Sequence, residues 1–299
     1  MRHRLCSGSA VGGPELAAIQ VELSAMPLSA LALALAAAVG HAAWNLLLSD
    51  AEDNHSATAV AVAFGILVFA PVAAITWRLH STALPYVAAS SAFELLYLAL
   101  LATGYSVAAM SFVYPIARGS APVIVLVVGA VALGASVSLP AALGVLLVAG
   151  GIVFVRGVGE SGRLRDLALA LSVGACIAGY TLIDKHGVEH GNPISYLEFV
   201  IAITGTAYLA GVWRVRGGAA LRAAVSRSTL LAGIGFFGSY ALVLAALRLA
   251  PAASVAAVRE SSVVIATAIL AIGGRERIGA QRFAGAVAVV AGIALISLG

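Results

Sequence analysis

Glu94, Arg118, Arg259 and Glu260 are charged residues that stand inside long apolar runs. A charge at the centre of a bilayer costs at least about 2.5–3.5 kcal/mol on insertion scales. Such residues must therefore face an interior and find partners. Arg118 lies in Tyr114-Pro115-Ile116-Ala117-Arg118-Gly119-Ser120-Ala121-Pro122. Each proline removes a backbone donor and favours a kink, and Gly119 lets a backbone or a ligand approach closely. An arginine beside a kink is a natural anion site, and the bland alternative is a structural pair or a snorkelling side chain. Arg259-Glu260-Ser261-Ser262 forms a matching cluster. Neighbours on a helix point about 100° apart, so Arg259 and Glu260 cannot fully neutralise one another, and at least one is expected to reach another helix. Arg118–Glu260 and Arg259–Glu94 are both open as pairings. A carboxylate near the midplane, Glu94 or Glu260, can take up a proton, and the alternative is a static ion pair. His41, Trp44 and Asn45 are spaced i, i+3, i+4 and share one helix face. Histidine titrates near neutrality and suits a proton carrier or gate, while tryptophan and asparagine suit stacking on and hydrogen bonding to a solute. A membrane-interface belt is the other reading of Trp44 and Asn45. Tyr97, Tyr114, Tyr180 and Tyr240 also fall within apolar runs, and each hydroxyl needs a partner.

The elements that hold these residues follow from composition. Of the 299 residues, 62% are hydrophobic and 10% charged, against roughly a quarter charged in a soluble domain. Surface-to-volume scaling leaves a soluble fold of this length unable to hide so much apolar surface, so the excess is expected to face lipid. The net charge of +4 comes almost wholly from arginine, Lys185 being the single lysine. The arginines cluster between apolar runs, which points to lipid headgroups and away from nucleic acid. Cys6 and Cys176 form no metal or redox spacing. No phosphate-binding loop ending in GK[ST] and no HExxH is present, so no cofactor, metal or catalytic residue is expected. An intramembrane lipid enzyme using His41 and Glu94 is disfavoured for want of a nucleophile–base constellation.

About 20 apolar residues cross a bilayer core. Runs of that length predict helices at 28–48, 56–77, 84–104, 107–134, 138–157, 164–184, 193–213, 228–248, 252–273 and 280–298. Hydropathy alone allows nine or ten spans, since the breaks near Gly104 and Gly134 are weak. An internal repeat favours ten. Residues 113–155 align without a gap on 254–296, placing Arg118 on Arg259, Ser120 on Ser261, Gly144 on Gly285 and Gly151 on Gly292. Residues 31–50 align on 167–186, placing Trp44 on Tyr180. Five helices per half invert the second half relative to the first. The fold class expected is an all-α integral membrane protein of ten transmembrane helices in two inverted five-helix repeats, 28–157 and 164–298. An N-terminal extension over 1–27, possible disorder included, precedes them, and Met26 is a candidate start. The glycines of the fifth and tenth helices (Gly144, Gly150, Gly151, Gly285, Gly292) predict close helix packing, either between repeats or in a homodimer. The breaks after helices 1, 3, 5, 7 and 9 together carry most of the arginines, almost all of them after helices 5, 7 and 9, so the positive-inside rule puts that side in the cytoplasm, with both termini outside.

His41-Ala42-Ala43-Trp44-Asn45, the Tyr114–Pro122 segment, Val258-Arg259-Glu260-Ser261-Ser262 and Ala250-Pro251-Ala252-Ala253-Ser254 resemble the EamA-type branch of the drug/metabolite transporter superfamily. The resemblance runs from about residue 28 to the end. It implies ten helices as two inverted repeats, a central cavity and alternating access. It also implies cytoplasmic termini, opposite to the arginine count, so sidedness stays open. The expectation is a secondary-active carrier, an exporter or a proton-coupled carrier or exchanger, for a small polar or anionic metabolite. Arg118, Arg259, Trp44, Asn45, Tyr114, Ser120 and Ser261 are the substrate-binding candidates. His41, Glu94 and Glu260 are the proton-coupling or gating candidates. The partners expected are the solute, protons and the lipid bilayer, in a cell membrane such as a bacterial inner membrane. A non-transporting assembly or regulatory protein and a lipid flippase on the same scaffold are the rival readings.

Overall fold

The structure, a computed structural model, describes residues 26–49, 51–107, 110–156, 163–273 and 279–298. The helices are α1 (Leu28–Ser49), α2 (Asn54–Ile75), α3 (Leu84–Val107), α4 (Met110–Ala132), α5 (Leu139–Arg156), α6 (Leu164–Gly187), α7 (Pro193–Ala223), α8 (Arg227–Leu247), α9 (Ala252–Arg259), α10 (Ser262–Ile272) and α11 (Ala280–Leu298). Two single 3₁₀ turns, Ser81–Ala83 and Val188–His190, complete the regular structure, and no strand occurs among the described residues. Among the described residues, eight segments are long and apolar enough to cross a membrane, with α9 and α10 counted as one. Two shorter apolar stretches, Ile116–Ala132 in α4 and Leu139–Val155 in α5, stand beside them. The extension before Met26, the break over 157–162, and Arg275 and Arg277 lie outside the described residues.

Local chemistry sets the helix ends. Asp53 caps α2, accepting from the backbone N–H groups of His55 at 3.2 Å and Ser56 at 3.3 Å and from the Ser56 hydroxyl at 2.7 Å. The Ser56 hydroxyl bond is the main reason its carboxyl is held below the usual carboxylate range. Asn192 caps α7 through Ile194 N–H at 2.9 Å, with Pro193 at the first helical position. Two expectations need correction. Helix six runs on to Gly187, not 184, which moves Asp184 off its end and brings Lys185 inside it. The kink expected at Pro115 and Pro122 is also absent as a break: α4 is one helix through both prolines. The interruption falls instead at the matching place in the second half, between α9 and α10. There Glu260 N–H reaches Ala257 O at 3.1 Å and Ser261 N–H reaches Val258 O at 3.0 Å, a tightened turn.

Lipid accounts for the outer face. Leu67, Ile75, Val131 and Ile272 are exposed, a pattern tolerable only in an apolar surround. Trp77 and Trp213 are exposed near opposite ends of the bundle, where indoles suit the headgroup layers. Inside, α1 packs on α8, α3 and α4 on α6, α2 on α7 and α8, and α5 along α11.

The α5–α11 seam is backbone on backbone. A Cβ added at Gly144 would lie 2.6 Å from the Gly292 carbonyl oxygen, and one at Gly151 would lie 2.7 Å from the Gly285 carbonyl oxygen. The reverse additions collide equally, so four of the five glycines singled out serve contact within this chain. Gly150 faces outward with nothing near it. Gly151→Ala is expected to lower the thermal midpoint in detergent, at an overpacking cost of about 1–3 kcal/mol, while Gly150→Ala leaves it unchanged. Equal midpoints for the two variants would contradict the seam.

Candidate functional site

A cavity of about 890 Å³ opens among α1, α2, α3, α4, α6, α7, α8, α9 and α10. Its inner lining includes His41, Trp44, Glu94, Arg118, Tyr180 and Arg259, and it runs outward to Glu52, Asn54 and Arg216, which are exposed. The opposite end is shut by main chain. Leu79 and Gly191 form an isolated antiparallel bridge. His80 N–H donates to His190 O at 3.0 Å and Asn192 N–H to Arg78 O at 2.6 Å, tying the α2–α3 link to the α6–α7 link. Gly191 permits this approach, since a Cβ there would stand 2.6 Å from the Arg78 carbonyl oxygen.

The inner cavity has a cationic pole. Arg118 Nη1 donates to Glu260 Oε1 at 3.0 Å, and Arg259 Nη2 donates to the same oxygen at 3.2 Å. Of the two pairings left open by the sequence, Arg118–Glu260 is the one formed. Glu260 also meets its own neighbour, which a regular helix would disfavour, because the tightened turn at Glu260–Ser261 changes the local geometry. Arg118 Nη2 donates to His41 Nε2. A guanidinium has only donors, so His41 accepts at Nε2 and is neutral there, with its proton on Nδ1. Trp44 stands edge-on to His41, ring centroids 5.0 Å apart, and to Phe236 at 5.4 Å. Asn45 turns its amide back to His41 O at 2.7 Å.

An acidic pole lies across from it. The Tyr240 hydroxyl is 2.7 Å from Glu94 Oε1 and 2.7 Å from Asp184 Oδ2, and Tyr196 donates to Asp184 Oδ1 at 2.9 Å. Glu94 is 6% exposed and Asp184 1%. Trp44 Nε1 lines the cavity, is buried and has no hydrogen-bond partner. Buried polar atoms are rarely left so, and this one is available to a bound solute or water.

The structure thus brings His41, Trp44, Asn45, Glu94, Arg118 and Arg259 to one cavity, with Glu260 directly behind the two arginines. It does not bring Ser120 or Ser261 there. Ser120 donates to Ala117 O at 3.2 Å and packs where α4 crosses Gly174 of α6, and Ser261 is buried in the helix break with its hydroxyl unpartnered. The side chain of Tyr114 lies outside the described residues. Asp184 was missed because it precedes Lys185 and reads as the end of a span. The available signal was Tyr180, four residues earlier on the same helical face. Lys185 leaves the interior by donating from Nζ to Leu247 O at 2.6 Å.

Eight helical segments among the described residues that are able to cross a membrane, with a cavity between them lined by both apolar and polar side chains, define a multi-span membrane protein. Residues 165–298, from α6 to the end of α11, match the model of the EamA-like transporter family. That match agrees with the resemblance read from the motifs and gives this half of the chain the class of a drug/metabolite-type membrane transporter. No match is found among curated proteins. A solved structure described only as the crystal structure of a protein superposes with a TM-score of 0.69 at 17% identity, covering 90% of this chain and 98% of the other. At that identity the likeness concerns the fold.

Removing one partner of a buried ion pair costs about 3–5 kcal/mol, whereas replacing both is far milder. Arg118→Met and Glu260→Gln should therefore each lower the thermal midpoint, and the double variant should recover part of the loss. Additive losses in that cycle would show the two groups to be energetically independent.

Proposed function

We propose that the protein is a secondary-active carrier that moves a small polar or anionic metabolite across a cell membrane by alternating access. The observation that carries this reading is the pair of guanidiniums, one from each sequence half, that face a single cavity open at one end and sealed at the other. Arg118 and Arg259 together outnumber Glu260, leaving a net positive pole for a carboxylate, phosphate or phosphonate. Trp44 offers a ring face and an indole N–H, and Asn45 lies beside it.

Two inverted repeats are supported by the packing. Exchanging each helix for its counterpart in the other half turns the α1–α8 contact into α6–α3, α2–α8 into α7–α3, and α4–α6 into α9–α1, and all of these contacts occur. The α5–α11 and α2–α7 contacts map onto themselves. Such a set is what a pseudo-twofold produces. By the same symmetry, the counterpart of the main-chain seal lies between the α1–α2 and α7–α8 links, at the end that is now open. Closing that end and parting the Leu79–Gly191 bridge would present the cavity to the other side. Gly217, with φ 78° near the end of α7, gives the segment leading into the α7–α8 link a ready bend.

The test is a thermal-shift screen of the purified protein against small carboxylates, phosphates and phosphonates at two pH values, followed by flux in proteoliposomes. Arg118→Ala should abolish flux while the protein keeps its helicity and elution profile, and Arg118→Lys, which keeps the charge and loses the fork, should retain a fraction of it. Wild-type flux in Arg118→Ala would refute the assignment of the cationic pole.

A further inference from the structure

The acidic pole raises a question of hydrogen accounting that the cationic pole does not. A tyrosine hydroxyl has one hydrogen. Tyr240 nevertheless stands 2.7 Å from a carboxyl oxygen on each side, Glu94 Oε1 from α3 and Asp184 Oδ2 from α6. It can donate to one of them. The other contact is a hydrogen bond only if that carboxyl carries a proton and donates to the tyrosine oxygen. Tyr196 cannot supply the missing hydrogen, because its own hydroxyl points to the far oxygen, Asp184 Oδ1.

We infer that Glu94, Tyr240 and Asp184 form a one-proton binding site on the wall of the cavity, in which the proton passes between the two carboxyls through the tyrosine hydroxyl. With the proton on Asp184 Oδ2, that carboxyl donates to Tyr240 and Tyr240 donates to ionised Glu94. With it on Glu94 Oε1, both bonds reverse and Asp184 is the ion. Each form satisfies both short contacts, and the exchange moves one proton one way and the tyrosine proton on to the opposite carboxylate. No other arrangement of a single extra proton does so.

The surroundings favour such a site. Tyr180 of α6, Tyr196 of α7 and Tyr240 of α8 are the titratable groups facing it, and Arg259 of α9 is the cation whose charge reaches both acids. Lys185, adjacent in sequence, is engaged at Leu247 O. Glu94 and Tyr240 line the cavity and Asp184 sits behind them. Protons thus reach Glu94 from the open end while Asp184 stays shielded. The three residues come from α3, α6 and α8, so a rearrangement of these helices would split the chain of bonds and alter its hold on the proton. Serving as the coupling site rests on the transport reading above, whereas binding a proton does not.

The test uses the proton as its probe. Infrared spectra of the purified protein in lipid, recorded across about pH 5 to 10, should show one protonated carboxyl in the wild type that ionises in a single step. Glu94→Gln and Asp184→Asn each remove the need to share, and should weaken proton affinity about tenfold or more, one unit of midpoint, or abolish the band. Tyr240→Phe keeps the ring and deletes the bridge, and should also displace the midpoint. A wild type with no protonated carboxyl in this range overturns the inference, as does a band unmoved in all three variants. Because the readout needs no solute, an intact proton site in a protein without flux would sink the transport reading alone. Robust flux with no such band would sink the proton site alone.

Discussion

The cationic pole of the interior is arranged around one oxygen, Glu260 Oε1, which accepts from guanidiniums of α4 and α9. In a medium of low dielectric, two like charges this close would force their helices apart, and one carboxylate between them converts repulsion into a tie. The tie joins residues of α4 and α9 beside the cavity. Its stoichiometry also matters. Two cations to one anion leave a surplus charge at this end of the chamber, so the device that holds the helices together also sets a positive pole opposite the acidic one.

The helix break at Glu260–Ser261 follows from the same constraint. In a regular helix the side chain of Glu260 would be turned well away from that of Arg259. The tightened turn lets a single carboxylate face its own neighbour and the opposite half at once. Arg118, by contrast, projects from an unbroken helix despite two nearby prolines. The arginines of the two halves therefore do not share one role. One is held by a partner from across the bundle and by His41, and the other by the residue next to it.

Much of this was legible in the sequence and some was not, for reasons that can be named. The spans followed from run length and composition, and the glycine seam from the alignment of Gly144 with Gly285 and Gly151 with Gly292. Arg118, Glu260 and His41 announced themselves by their cost in an apolar run. Asp184 did not, because it lies beside Lys185 close to a helix end, and one-dimensional hydropathy cannot tell an acid turned inward from one turned to water. Ser120 and Ser261 were drawn into the candidate set by their neighbours. Small hydroxyls can be satisfied by, or buried against, their own helix, so spacing alone does not decide where they face. The location of the kink was also beyond the sequence, because proline marks where a helix is able to bend and tertiary contacts decide whether it does.

The latch formed by Leu79 and Gly191 is built from peptide groups. Its strength depends on how closely two strands of backbone approach and hardly at all on which side chains they carry, the one small residue at Gly191 excepted. In the carrier proposed above, solute recognition rests by contrast on side chains that line the chamber. Gate and reader are thus written in different chemical alphabets. The lining can be rewritten for a new cargo without resetting the force needed to unfasten the lid, which is a physical route by which one scaffold can diversify its repertoire.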